Sequence, residues 1–258
     1  MRLLITGALG QLGRSLQQAL EEHDILPIDL PEHDVAEPTI IGTIEDFQPD
    51  LVIHAAAMTD VDGCEVNPDT AYKVNALGTQ NVALACQRCD APLLYVSTDY
   101  VFDGTKGEPY LEFDEPNPIG VYGRSKLAGE LIVRELLTRF YVVRTAWLYA
   151  RGGKNFVTKI LELAEEREEL SVVTSEVGSP TYAPDLARAI ARLIEYPLYG
   201  TYHLVNEGSC SRYEFARRIL ELAGKSRFPL HPAETYQRAT RVPANAALRN
   251  FCAATQLG

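Results

Sequence analysis

The N-terminal stretch LLITGALGQLG, residues 3–13, decides the fold that the sequence predicts. Its apolar start predicts a short buried strand at Leu3–Thr6. The glycines at 7, 10 and 13 permit a tight turn, let backbone N–H groups approach a pyrophosphate, and let the following helix pack closely on the strand. The spacing is one residue longer than the G-x-G-x-x-G fingerprint, but its place between a strand and a helix favours a dinucleotide site over a plain turn.

Short apolar runs alternate with amphipathic stretches through the first 150 residues, which is typical of βαβ units in a parallel sheet. We therefore predict an α/β fold with a Rossmann-type, doubly wound parallel sheet in residues 1–150. The predicted strands are Leu3–Thr6, Ile25–Asp29, Leu51–His54, Leu93–Ser97 and Tyr141–Thr145, and the predicted helices are Gly13–Glu22, Thr39–Phe47, Asp69–Arg88 and Tyr122–Arg139. Residues 151–258 lose this rhythm, and we expect a smaller lobe there, with a helix at 183–196 returning to the first domain. Further elements are predicted at Phe156–Arg167, Ala183–Glu195, Tyr202–Val205 and Arg212–Ala223.

Composition limits the class of protein. The 258 residues are 46% hydrophobic and 23% charged, which excludes disorder, collagen and coiled coil. The net charge of −11 disfavours nucleic acid as a partner. We expect a cytoplasmic protein without a membrane partner, because the first apolar run is too short for a signal peptide and no segment reaches about 18 apolar residues. Five scattered cysteines argue against a disulfide framework, and Cys86-x-x-Cys89 lacks a second ligand pair, so no metal site is predicted.

One acidic residue ends the predicted second strand, and another lies in the loop that follows. Asp29 stands about 20 residues after the glycine turn, where a carboxylate accepts hydrogen bonds from the adenosine ribose. It would repel the extra phosphate of NADP, and residues 26–35 contain no Lys or Arg, which favours NADH without excluding NADPH. Asp34 and Val35 lie in the next loop, where they could hold the adenine, although Asp34 could equally cap a helix.

Tyr122 and Lys126 are four residues apart at the start of a predicted helix, so both project from one face. A neighbouring ammonium lowers the pKa of a phenol from about 10 and makes it a usable proton donor. Ser97 and Thr98 end a predicted strand, the edge at which open α/β sheets bind ligands. A hydroxyl at that edge can hydrogen-bond a substrate carbonyl on which charge develops.

Together, the glycine turn, the strand-end hydroxyl and Tyr-x-x-x-Lys resemble the extended short-chain dehydrogenase/reductases. Within that superfamily the chain resembles the dTDP-4-dehydrorhamnose reductase family over nearly its whole length. The strings that carry this likeness are GQLG (10–13), AAAMTDVD (55–62), STDYVFDG (97–104), VYGRSKLAGE (121–130), RTAWLY (144–149), GSPT (178–181) and RVPAN (241–245).

The resemblance implies reduction of the C4 ketone of a sugar nucleotide with NADH or NADPH. Tyr122 would protonate the C4 oxygen, Lys126 would bind the nicotinamide ribose, and Thr98 would orient the carbonyl. The cofactor residues implied are Gly7, Gly10, Gln11, Leu12, Gly13, Asp29, Asp34, Val35, Ala57, Met58, Thr59, Tyr122 and Lys126. The substrate residues implied are Val61, Thr98, Asp99, Tyr100 and Trp147, although Trp147 could also be core. The second lobe would then bind substrate, and a homodimer is a further expectation.

Other functions of related proteins stay open at this point. C4 epimerases share Tyr and Lys and keep NAD bound through the cycle, and other 4-ketoreductases share the whole site. Dehydratases carry an acidic pair after the strand-end Thr, whereas here Tyr100 follows Asp99. The regulatory subunit of methionine adenosyltransferase resembles this family without catalysing, but the intact Thr98, Tyr122 and Lys126 favour an enzyme. Relatives usually continue past the RVPAN arm through a final helix, so we expect a truncated second lobe.

Overall fold

The computed structural model describes residues 1–235 and 238–257. Its strands are β1 (Arg2–Thr6), β2 (Asp24–Ile28), β3 (Leu51–His54), β4 (Leu93–Thr98), β5 (Phe140–Thr145), β6 (Leu148–Tyr149), β7 (Leu170–Val173), β8 (Val177–Gly178), β9 (Thr181–Tyr182), β10 (Gly200–His203), β11 (Cys210–Ser211) and β12 (Leu230–Ala233). Its α-helices are α1 (Gln11–Ala19), α2 (Thr39–Phe47), α3 (Val61–Val66), α4 (Pro68–Tyr72), α5 (Thr79–Arg88), α6 (Val121–Leu136), α7 (Phe156–Glu166), α8 (Ala183–Leu193), α9 (Arg212–Leu222) and α10 (Phe251–Gln256).

Six parallel strands form the central sheet in the order β10-β5-β4-β3-β1-β2. The chain leaves β1 toward β2 on one side and returns to β3 on the other, so the strand order reverses between β1 and β3. Ligands of open α/β sheets bind in the crevice at such a reversal, beyond the carboxyl ends of the strands. This sheet confirms the predicted α/β, doubly wound fold and places the loops after Thr6 and His54 side by side.

The sheet is buried on both faces, as its nearly continuous apolar strands predict. Alternate residues of β1 enter different cores: Leu3 and Ile5 pack with α1 and α8, whereas Leu4 packs with α2, α5 and α6. A separate apolar cluster joins α7 and α9 to β7. The division at residue 150 stays a prediction, although α8 contributes Leu186 and Ile190 to the same core as β1.

The predicted long helix Asp69–Arg88 is wrong in detail, because α4 and α5 are separated by a π-helical stretch at Lys73–Gly78. Its wider turns carry one extra residue, which rotates the buried Asn75 side chain toward the loop after β3. The predicted helix Tyr122–Arg139 ends early, at Leu136, and Arg139 instead forms an ion pair with Asp90.

No helix in the described part of the chain is long and apolar enough to cross a membrane.

Candidate active site

The glycine turn after β1 has the geometry of a dinucleotide site. Gly7 has φ +69°, and a Cβ on it would lie 2.7 Å from the backbone nitrogen of Ala56. A Cβ on Gly13 would lie only 2.2 Å from the Gly7 carbonyl oxygen. Gly10 precedes α1 in an extended conformation, and no side chain caps the helix. The free N–H groups of this helix end and the space at the glycines therefore fit a pyrophosphate.

Asp29 follows β2 and already contacts the glycine turn. One carboxylate oxygen accepts a hydrogen bond from the Leu9 N–H at 2.7 Å, and the other accepts from the Leu30 N–H at 2.8 Å. A carboxylate has about four acceptor positions, so two remain for ribose hydroxyls. Leu9 and Leu30 are themselves exposed on either side of this contact.

Asp34 and Val35 have different surroundings from each other. Asp34 closes a turn by accepting the Ala36 N–H at 2.9 Å, whereas α2 begins after Pro38, so Asp34 is not the cap of that helix. Val35 is buried, and its carbonyl accepts a hydrogen bond from Asn81 at 3.0 Å. The structure therefore offers the Asp34 carboxylate, more than the Val35 side chain, to a ligand.

The loop after β3 carries Ala57, Met58 and Thr59, and Asn75 fixes it. The Asn75 amide accepts the Met58 N–H at 2.8 Å and donates to the Met58 carbonyl at 3.1 Å. Its nitrogen also donates to the Ser125 hydroxyl at 3.0 Å, on the helix of the predicted catalytic residues. Asn75 thus ties the predicted cofactor loop to α6. No local motif predicted this role, because it depends on the π-helical stretch. Val61 opens α3 just beyond the loop.

The two hydroxyls that end β4 have separate partners. Ser97 donates to Glu130 at 2.6 Å, and Glu130 also receives two hydrogen bonds from Arg144, at 2.9 and 2.7 Å. All three side chains are buried, so Ser97 belongs to a structural ion-pair network. Thr98 instead donates to the Asp99 carboxylate at 3.0 Å and lies close enough to the Tyr122 phenol to affect its pKa. Of the two hydroxyls, only that of Ser97 is bound to the Glu130 carboxylate.

Tyr122 is held where α6 approaches the end of β4. A Cβ on Gly123 would lie 2.0 Å from the Tyr100 carbonyl oxygen, so glycine is required for this approach. The Tyr100 and Tyr122 rings meet edge to face with centroids 5.5 Å apart. Burial raises the pKa of Tyr122 well above its ordinary value, opposed by the hydrogen bond with Thr98.

The direction of this shift differs from the sequence expectation, in which the Lys126 ammonium lowered the pKa of Tyr122. Burial outweighs every other influence on the phenol in the structure. A raised pKa keeps the phenol protonated at neutral pH. A phenol that stays protonated can act as a proton donor.

Lys126 lies one helical turn further along α6, buried beneath the site. Its Nζ is 4.1 Å from the centroid of the Tyr95 ring, and the Tyr95 hydroxyl donates to the Lys126 carbonyl at 3.2 Å. Burial lowers the pKa of Lys126 to about 7, and Glu130 opposes this change. Among the described residues no acceptor hydrogen-bonds the Nζ, which fits a group that binds the hydroxyls of a bound ribose.

Asp99, Tyr100 and Trp147 are the predicted substrate residues that follow β4 and β5. Asp99 is buried, and burial raises its pKa to about 7. Its second carboxylate oxygen has no partner among residues 1–235 and 238–257. Trp147 adopts a positive φ of +43° and lies against Gly178, where a Cβ would be 2.4 Å from the indole. Arg212 covers the Trp147 ring, a contact that sequence reasoning missed because the two residues are far apart in the chain.

The side chain of Gln11 contacts the loop before α7. Its oxygen accepts from Asn155 at 2.8 Å, and Asn155 is also the cap of α7. Gln11 therefore links the glycine turn to the loop before α7. Within the described ranges, no cluster of three or more His, Cys, Asp or Glu side chains could hold a metal ion.

Comparison with known proteins agrees with this geometry. The family model described as the RmlD substrate binding domain matches residues 1–258. The dTDP-4-dehydrorhamnose reductase of Mycobacterium tuberculosis (strain ATCC 25618 / H37Rv) is 45% identical over 244 residues, which cover 92% of this chain and 80% of the relative.

Two solved structures extend the likeness to three dimensions. The dTDP-4-dehydrorhamnose reductase of Bacillus anthracis str. Ames, in complex with NADP, matches with a TM-score of 0.95 and 44% identity, covering 98% of this chain and 92% of that one. A dTDP-4-dehydrorhamnose reductase ortholog from Clostridium acetobutylicum ATCC 824 matches with a TM-score of 0.97 and 41% identity, covering 100% and 93% of the two chains. The resemblance indicated by the motifs is confirmed: the chain belongs to the family of the RmlD substrate binding domain.

Proposed function

We propose that this protein is an NAD(P)H-dependent reductase that converts dTDP-4-dehydro-L-rhamnose to dTDP-L-rhamnose. One arrangement carries the proposal: the buried Tyr122 phenol lies close enough to Thr98 for that hydroxyl to affect its pKa, and one helical turn from the buried Lys126. These groups lie beside the glycine turn and the loop after β3, where the strand order reverses. The substrate and the cofactor are proposed from the similar proteins, which are named dTDP-4-dehydrorhamnose reductases, one of them in complex with NADP.

In this proposal each residue has a separate task. When bound, a dihydronicotinamide would supply the hydride for the C4 carbon of the sugar. Tyr122 donates its proton to the C4 oxygen, and Thr98 hydrogen-bonds the same oxygen and orients it. Lys126 binds the nicotinamide ribose, and its positive charge stabilises the phenolate that remains. Asp99 accepts a sugar hydroxyl through the carboxylate oxygen that has no partner in the described residues.

The proposal assigns the cofactor to the glycine turn, to the end of β2 and to the loops after β2 and β3. Gly7, Gly10 and Gly13 shape the pyrophosphate turn, and the backbone of Gln11 and Leu12 lines it. Asp29 accepts hydrogen bonds from the adenosine ribose. Asp34 and Val35 lie on the adenine side. The remaining cofactor contacts are assigned to Ala57, Met58 and Thr59. Both NADH and NADPH are accepted in this proposal, with Asp29 favouring NADH.

The substrate side belongs to Val61, Asp99, Tyr100 and Trp147, together with a substrate lobe formed mainly by residues 151–258. Aromatic faces such as those of Tyr100 and Trp147 are suited to a sugar or a base. A cytoplasmic location and a homodimer remain part of the proposal.

The direct experiment follows NAD(P)H oxidation with dTDP-4-dehydro-L-rhamnose and identifies the product by chromatography against dTDP-L-rhamnose. We expect one NAD(P)H to be consumed for each product molecule. A panel of other 4-keto sugar nucleotides tests the choice of substrate. The matched control is Tyr122→Phe, which removes the proton donor and keeps the ring.

Each contrary result points to a different function. Interconversion of C4 epimers without net NAD(P)H consumption would show an epimerase. Faster turnover of another 4-keto sugar nucleotide would show a different ketoreductase. Failure to oxidise NAD(P)H with every substrate, combined with co-purification of a methionine adenosyltransferase, would show a regulatory subunit.

A further inference from the structure

Arg212 has no role in the reaction described above, although its guanidinium lies on Trp147, one of the proposed substrate residues. It is the first residue of α9, and its guanidinium carbon lies 3.5 Å from the centroid of the Trp147 ring. The same carbon lies 5.0 Å from the centroid of Phe156. At 3.5 Å the guanidinium must lie over the face of the indole. Such a group presents its N–H donors outward at its edge.

The side-chain N–H groups of Arg212 make no hydrogen bond within the described part of the chain. The Arg212 side chain is only 17% exposed, yet none of its nitrogens makes a hydrogen bond there. Its carboxylate neighbour is Glu176, with Nε 3.5 Å from the nearer oxygen. Glu176 also lies 3.5 Å from the Arg238 guanidinium, so two cations share it. Charge-assisted hydrogen bonds are normally about 2.7–2.9 Å, so both contacts leave room for a stronger acceptor.

Arg212 acts on the site through electrostatics. Its charge lowers the pKa of Asp99 and of Tyr100, although burial raises both more strongly. The Tyr100 ring in turn contacts the Tyr122 ring. Arg212 therefore lies close enough to the Asp99–Tyr100 turn to act on both of its side chains. It is a local positive charge in a chain of net charge −11.

We infer that Arg212 binds the diphosphate group of the sugar nucleotide. This inference rests on the proposed function, because it needs the sugar C4 to lie at Tyr122. C1 is opposite C4 across a pyranose ring, so a diphosphate on C1 points away from Tyr122 toward the second lobe. The planar guanidinium matches two phosphate oxygens at once, and its position on Trp147 fixes it before the substrate arrives.

Competitive inhibition by thymidine and by dTDP distinguishes binding of the diphosphate by Arg212 from a packing role of its side chain. Both carry the base and the ribose, but only dTDP carries the diphosphate. In Arg212→Met, which keeps an apolar stem on the Trp147 face, we expect the inhibition constant for dTDP to rise between about 10- and 100-fold, the loss of one or two charge-assisted hydrogen bonds. The constant for thymidine should stay within about twofold by the same reasoning. Arg212→Lys should fall between Arg212→Met and the native chain.

Arg218→Met is the matched control, because Arg218 lies on the exposed face of the same helix and pairs only with Glu221 in the described structure. It should leave both inhibition constants unchanged. Equal weakening of dTDP and thymidine in Arg212→Met would show a packing role and overturn the inference, as would unchanged binding of dTDP. If Arg212→Met does not fold, Arg212→Lys decides by the same comparison. If the native chain reduces no 4-keto sugar nucleotide and binds no dTDP, the proposed function itself fails, and this inference fails with it.

Discussion

Replacing Lys126 by Met should stabilise the chain in the absence of ligands while abolishing its turnover. The ammonium is buried and lies over the face of the Tyr95 ring. Glu130 affects it only through its charge. Burial therefore lowers its pKa from 10.5 to about 7. A functional group kept in an unfavourable environment is a common reason why active sites reduce stability.

The magnitude follows from proton linkage. In the unfolded chain Lys126 binds its proton up to about pH 10.5, whereas the folded chain releases it above about pH 7. Between these values the unfolded state binds more protons, so stability rises with pH through this window. A lowering from 10.5 to about 7 corresponds to roughly 5 kcal/mol, at about 1.4 kcal/mol per pH unit. Loss of the cation–π contact with Tyr95 reduces the expected stabilisation of the variant by about 1–2 kcal/mol.

The assay is urea unfolding of the native chain and of Lys126→Met, without cofactor, at several pH values from 6 to about 10. The variant should be more stable by several kcal/mol near pH 7 and below, and the difference should shrink by about 1.4 kcal/mol per pH unit above pH 7. Lys159→Met, at an exposed position, is the control and should show no such slope. A difference between native chain and Lys126→Met that does not change with pH would refute the argument that burial disfavours the ammonium.

Three further outcomes are expected. Tyr122→Phe should lose most turnover with little change in the dissociation constant of NAD(P)H, measured by fluorescence titration, because the phenol is the proton donor and the glycine turn is untouched. Arg144→Met should lower the free energy of unfolding by about 3–5 kcal/mol in urea, because it removes the buried cation of the Glu130 carboxylate and leaves only the partly exposed Arg134, at 3.7 Å. Asp29→Asn should raise kcat/KM for NADPH relative to NADH in steady-state assays, because it removes the charge that faces a 2′-phosphate; an unchanged ratio would mean that another group sets the preference.

Much of the fold could be predicted from local sequence because the signals are local. The buried strands of a parallel sheet are short apolar runs, and β3 has the bounds predicted for it. The glycines of the first turn indicate a close approach of two backbone segments. The structure shows this approach at Gly7 and Gly13, where a Cβ would clash with backbone atoms. The helix before β4 was less predictable, because its π-helical stretch is only six residues long and is continuous with α-helix on both sides.

The candidate site was predictable only where its residues stand in motifs. Thr98 and Ser97 are equivalent hydroxyls in the sequence, and they are distinguished by the Glu130–Arg144 pair that binds Ser97. The role of Arg212 depends on the docking of α9 against Trp147, 65 residues earlier in the chain. No periodicity or spacing encodes such a contact.

The Ser97–Glu130–Arg144 network also explains the state of Lys126. Lys126 and Glu130 are four residues apart on α6, a spacing at which opposite charges normally pair. In the structure Arg144 bonds Glu130 through two nitrogens and Ser97 donates to it as well, so its oxygens are occupied by other donors. An ion pair with Glu130 would hold the Nζ away from a ribose and keep it charged at all neutral pH values. By occupying Glu130, Arg144 leaves Lys126 on the Tyr95 face, available for the cofactor and with a pKa near neutrality.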